Sequence, residues 1–221
     1  MKLVSKRIGL GLVIFLAFGL AISAIIRYLL LDPASTNKTL IEQGMELYDF
    51  HYQPWNIVLL FHIVTASLAI VIGPFQFFKK IRIKRKNLHR NLGKIYITTI
   101  LISGITGVYL SFYAFGGIIS KIGFFTLSIA WLYTTYLAYR HVRNKQFKLH
   151  ENWMYRSYAV TFVAITFRFW SAVIGYSFDN FQLGYTVAIW VSLIGNLVVM
   201  EFWLKRKSSK IKSSRPSIIS Q

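Results

Sequence analysis

Runs of apolar residues long enough to cross a bilayer recur six times along this chain, separated by short polar segments. About 20 such residues span the roughly 30 Å hydrocarbon core at the 1.5 Å rise of a helix. By that measure helices are expected near residues 8–31, 55–78, 91–115, 118–140, 152–175 and 185–204. The pattern predicts an all-α fold: a polytopic membrane helix bundle with six transmembrane helices within residues 1–207. A basic tail at 208–221 follows, and its Ser and Lys content predicts disorder. The first run follows Lys2, Lys6 and Arg7, as a signal peptide would. It is longer than a usual signal core and lacks a small-x-small cleavage site, so it reads as a retained anchor, with processing near Ala24 the lesser alternative.

Helical stepping sorts the few polar residues inside these runs. In the fifth run His150, Ser157, Thr161, Ala164 and Arg168 return to nearly one face. The third run aligns His89, Gly93, Tyr96, Ser103, Gly107 and Ser111, and the second aligns His62, Ala66, Ala69, Gly73 and Gln76. His62, His89 and His150 all lie on small or polar stripes and are therefore expected to face protein rather than lipid, because small residues let helices approach and polar ones need partners. His62 lies seven residues inside Trp55, about 10 Å deep. Arg168 lies at a similar depth below Gly175, so these two share one leaflet as an outer polar site. His89 and His150 open the third and fifth helices at the other face.

Charge orients the bundle. The chain carries 26 Lys and Arg against 7 Asp and Glu, a formal charge of +19. The basic residues cluster at the amino terminus, in 79–94, in 140–148 and in the tail, whereas the 32–54 loop holds Asp32, Glu42, Glu46 and Asp49 against Lys38. Under the positive-inside rule both termini are cytoplasmic and the protein belongs in the cytoplasmic membrane. Because the cations sit beside membrane segments and not on one soluble face, nucleic acid is excluded as the expected partner. The bilayer is the partner expected.

Without cysteine there are no disulfides, thiolate metal ligands or thiol nucleophiles. No H-E-x-x-H, G-x-S-x-G or phosphate-cradling Gly loop occurs. Leu88-His89-Arg90-Asn91 and Leu149-His150-Glu151-Asn152 both read Leu-His-x-Asn, each after a basic loop. This echo suggests that helices 2–3 and 4–5 are parallel repeats. His89 and His150 would then converge as neutral imidazoles able to ligate a metal, beside Gly93, which leaves space for a flat ring. The bland alternative is two interfacial histidines. Arg156 and Glu201 are expected to pair, His141 and His51 to be solvated, and Gly116-Gly117 to turn between the third and fourth helices.

Phe61-His62, Gly73-Pro74-Phe75-Gln76-Phe77, Leu88-His89-Arg90, Leu92-Gly93-Lys94, Tyr96, His150, Trp153-Met154, Arg156-Ser157-Tyr158-Ala159, Arg168 and Asn196 through Glu201 together resemble the bacterial membrane family called domain of unknown function 2306. The likeness runs over about residues 55–204 and implies that these polar positions form a family signature, with no activity to carry over. The spacing is also loosely similar to the cytochrome b561 type of electron carrier, which has two bis-His haem sites. His89 and His150 mimic one pair; the second fails, because His62 lies near the outer face and the fourth helix offers only His141 at its inner end.

The leading expectation is a His-based site binding b-type haem or a metal ion in an electron-transfer or redox-accessory role. His89 and His150 would be the ligands, with Tyr96, Arg156 and Glu201 tuning the group or pairing with its propionates, and His62 with Arg168 serving a quinone or proton site. A membrane redox partner would follow. Two other classes fit the same residues: a proton-coupled small-molecule transporter lined by His62 and Arg168, and a non-catalytic assembly or immunity factor.

Overall fold

In the computed structural model, residues 2–31 and 52–213 are described, and they are helical with no strand. Helix α1 is Lys2–Ile25, continued by a wider turn at Ile26–Leu30. Helix α2 (Tyr52–Ile72) tightens into a 3-10 segment, Gly73–Phe77, where Pro74 occupies the first turn. Then come α3 (Lys79–Lys84), α4 (Lys86–Ser111), α5 (Gly117–Arg143), α6 (Phe147–Thr161), α7 (Val163–Ser177) and α8 (Phe181–Ser213). His51 and most of the acidic 32–54 loop lie outside the described residues, as do tail positions 214–221.

Six segments are long and apolar enough to cross a membrane: Gly9–Tyr28, Pro54–Phe77, Lys86–Ser111, Gly117–Arg143, Phe147–Ser177 and Phe181–Ser209. Burial differs from that of a water-soluble bundle, because serines share the core with Tyr96, Ile100 and Ile189 while many large apolar side chains stand on the surface. Ser103, Ser120, Ser157 and Ser192 are buried, while Phe15, Ile118 and Val199 stand 73%, 68% and 68% exposed. Such a surface needs hydrocarbon around it.

Two details depart from the expected helices. The fifth run is not one rod, because the helix is interrupted at Phe162, whose carbonyl takes both the Ile165 and Thr166 amides at 3.0 and 3.2 Å. The Ala159 carbonyl beside the break accepts the Asn196 Nδ2–H at 3.1 Å, and the same amide donates to Thr166 Oγ1 at 3.0 Å. A side chain entering the ladder is a known cause of such kinks. The sixth helix also continues through Ser213, past the expected end at 204 and into the segment read as a disordered tail. Nothing in its Ser and Lys residues breaks a helix once it has left the apolar layer.

Helices α2, α4, α5 and α6 form a ring in which each packs on the next and α6 closes on α2. Helix α1 lies against α2 and α7; α8 lies along α7, α5 and α6. Close approach depends on small residues. A Cβ on Gly184 would fall 2.5 Å from the Gly175 nitrogen, so α7 and α8 touch backbone to backbone. Gly116 and Gly117, at φ +88° and +79°, make the α4–α5 turn in a region closed to most side chains.

Candidate functional site

The two histidines of the repeated motif occupy the same place in their helices. Arg85 and Gln146 stand just before α4 and α6 with ψ near 60° and 66°. The first backbone bond of each helix is then His89 N–H to the Arg85 carbonyl (3.0 Å) and His150 N–H to the Gln146 carbonyl (2.9 Å). Helices α4 and α6 are not neighbours in the ring but stand across it. His89 and His150 lie within electrostatic range of one another and of Arg82.

Ring orientation differs between them. His150 Nδ1 is 2.8 Å from the Ala138 carbonyl, which can only accept, so the proton sits on Nδ1 and Nε2 keeps its lone pair. His89 Nδ1 is buried with no hydrogen-bond partner, and so is Gln76 Nε2. Gln76 comes from the 3-10 segment; a Cβ on Gly93, one turn beyond His89, would meet only its Oε1, at 3.7 Å. Gly93 therefore borders the Gln76 amide, in the place expected to be free for a flat ring. Glu151, beside His150, is held by Arg82 (3.1 Å) from α3 and Lys207 (3.0 Å) from α8, and Lys207 also lies over the Tyr155 and Trp203 rings.

The other expected members of this site have separate surroundings. Arg156 meets Glu201 through two bonds, Nε–Oε1 at 2.5 Å and Nη2–Oε2 at 2.9 Å, and lies over Trp153. Its guanidinium is committed there. Tyr96 is fully buried, deeper on the bundle axis, where its hydroxyl meets Ser157 Oγ (3.0 Å) and Thr161 Oγ1 (3.1 Å). Thr135 Oγ1 meets Ser157 Oγ at 2.7 Å, and Trp131 Nε1–H donates to Thr161 Oγ1 at 2.8 Å. Thr161 spends its proton on the Ser157 carbonyl, so Tyr96 donates to Thr161, Ser157 to Tyr96 and Thr135 to Ser157. Every hydroxyl proton in the cluster is placed. Ser157 and Thr161 were visible on the polar stripe of the fifth run; Trp131 and Thr135 were not singled out, although Ser120, Gly123, Ser128, Trp131, Thr135 and Ala138 form a buried small and polar stripe on α5 that helical stepping along the fourth run could have found.

Toward the other end, His62 Nδ1–H donates to the Ser103 carbonyl at 2.9 Å, with Thr106 Oγ1 at 3.2 Å, and Thr65 and Ser103 hydroxyls meet at 2.5 Å. A Cβ on Gly107 would fall 3.3 Å from the His62 ring, so the stripe of small residues makes room for the imidazole. Arg168 is within electrostatic range of His62 but shares no hydrogen bond with it; its Nη1 bonds the Ala164 carbonyl at 2.6 Å. His141 bonds Gln146 at 2.5 Å where α5 turns into α6. Among the described residues no three His, Asp or Glu side chains gather as a metal-binding group.

A family model described as a predicted membrane protein, DUF2306, matches residues 59–204. The chain belongs to this family. No curated protein and no solved structure matches it. The DUF2306 region contains His62, His89, Tyr96, His150, Arg156, Arg168 and Glu201, and also Asn196 at the α6–α7 break. With six apolar helices and this membership, the protein is a multi-pass integral membrane protein in contact with the lipid bilayer.

Proposed function

We propose that this DUF2306 protein is a membrane electron carrier or redox-accessory protein whose resident group is b-type haem, held by His89 and His150. The observation that carries this reading is the equivalent placement of the two imidazoles across the helix ring, with His150 oriented by the Ala138 carbonyl so that Nε2 is available. A carbonyl on Nδ1–H is the usual arrangement behind a ligating histidine. The donor set also favours haem over a bare ion. Two imidazoles leave at least half of the shell of a protein-bound metal unfilled, whereas a porphyrin brings four nitrogens of its own.

Haem, when bound, supplies reversible one-electron chemistry. The chain's own residues divide the remaining work. Arg82 supplies positive charge beside both histidines, shared with the Glu151 carboxylate that it holds together with Lys207. The closed Tyr96–Ser157–Thr161–Thr135 cluster fills the bundle axis on the far side and excludes water from it. The test is the absorption spectrum of full-length protein expressed with iron and a haem precursor. A Soret band that shifts on reduction, lost in His89→Ala and His150→Ala while helicity is kept, is expected. Haem-free wild-type protein under those conditions overturns the proposal.

A further inference from the structure

A dense run of positive charge connects α2 to α4. Phe78, at ψ 116°, ends the 3-10 segment, and Arg85, at φ −127° and ψ 60°, separates the short α3 from α4. The membrane-crossing segments Pro54–Phe77 and Lys86–Ser111 end and begin on either side, so α3 lies at the edge of the apolar layer. An open cleft of about 660 Å³ occupies the α3–α4 bend, lined by Ile83, Lys84, Arg85, Lys86, Asn87 and Leu88. That volume is in the range of organic ligands, ~300–1,000 Å³, and exceeds what a bare ion fills.

Two kinds of side chain meet there. Lys84, Arg85 and Lys86 are exposed, and so are Lys79, Lys80 and Arg90 around them. None of these forms an ion pair with a described carboxylate, and Glu151, on α6, is already shared by Arg82 and Lys207. Ile83 and Leu88 bring apolar side chains to the same cleft, 53% and 37% exposed. Cations beside exposed apolar side chains match a molecule that is anionic in one part and apolar in the next.

We infer that the α3–α4 bend binds the headgroup of an anionic phospholipid, its phosphate among Lys84, Arg85 and Lys86 and the start of its acyl chains against Ile83 and Leu88. Arg85 offers a planar fork of N–H donors to phosphate oxygens, and the two lysines add point charges. The level is also that of a headgroup: lipid phosphates lie just outside the hydrocarbon, where the chain between these two spans runs. A zwitterionic lipid carries its own cation beside the same phosphate, so the cluster separates the two by net charge. A soluble polyanion would engage the cations alone and leave Ile83 and Leu88 in water.

The experiment is native mass spectrometry of the full-length protein in detergent with dioleoyl-phosphatidylglycerol or dioleoyl-phosphatidylcholine added, and with inorganic phosphate or a short oligothymidylate as competitor. Phosphatidylglycerol is expected to be retained about tenfold more strongly than phosphatidylcholine, the scale of one or two cations at a lipid surface. Lys84→Gln, Arg85→Gln and Lys86→Gln together bring that ratio to about twofold or less. Lys210→Gln, Lys212→Gln and Arg215→Gln, which remove the same charge near the carboxyl terminus, leave it at about tenfold. Ile83→Ser lowers retention of both lipids and keeps their ratio. The substituted cleft side chains are exposed, so helical content by circular dichroism stays that of the wild type. Equal retention of the two lipids, an unchanged ratio in the triple cleft variant, an equal loss in the carboxyl-terminal variant, full retention in Ile83→Ser, or displacement of phosphatidylglycerol by equimolar phosphate or oligothymidylate overturns the assignment.

Discussion

Replacing Tyr96 by Phe removes one oxygen from the centre of the bundle and leaves the ring that fills it. That oxygen joins α4 to α6, helices that face each other across the ring and meet chiefly through this side chain. The variant loses the bond Tyr96 donates to Thr161 and the one it accepts from Ser157. Interhelical hydrogen bonds in membrane proteins average about 0.6 kcal/mol and reach about 1.7. Two of them, in a fully buried position, give an expected loss of about 1–2 kcal/mol. Thr161 keeps Trp131 as a donor, whereas the Ser157 proton is left to find a carbonyl on its own helix. The loss should therefore couple to Ser157: in a double-mutant cycle of Tyr96→Phe with Ser157→Ala, about 0.5 kcal/mol or more should be non-additive. Steric-trap unfolding of the full chain in bicelles measures both quantities. A Tyr96→Phe protein within about 0.3 kcal/mol of the wild type, with additive behaviour toward Ser157→Ala, would refute the directed hydroxyl cluster, since that difference is within ordinary non-coupling scatter.

Gly184→Ala places a methyl group against the Gly175 backbone, which cannot rotate away, and should cost about 1–3 kcal/mol in the same unfolding assay; Gly19→Ala, in open space, serves as the control and should not move it. Gly93→Ala meets one side-chain atom at 3.7 Å and should fold with wild-type stability, whereas Gly93→Leu, if haem occupies the proposed position, lowers the Soret absorbance per protein without changing helicity. Glu201→Gln breaks an ion pair whose carboxylate side is 42% exposed, so solvent screening holds the loss to about 0.5–1 kcal/mol, read as a small fall in melting temperature that shrinks further in high salt.

The length and spacing of apolar runs determined six crossings, because a helix must satisfy its own backbone within a hydrocarbon layer of fixed thickness. Helical periodicity also determined which faces turn inward: Tyr96, Ser103, Gly107 and Ser111 of one stripe and Ala69, Gly73 and Gln76 of another are buried. The Leu-His-x-Asn echo already marked two equivalent helix starts. Other features depend on which helices stand side by side, and no local pattern encodes that. Trp131 and Thr135 join Tyr96 because α5 packs between α4 and α6; Asn196 acquires its role from a break in a different helix; and Arg168 borders a cleft because α1 lies against α7. Periodicity along one helix says which residues face inward, and only the packed bundle says what they meet there.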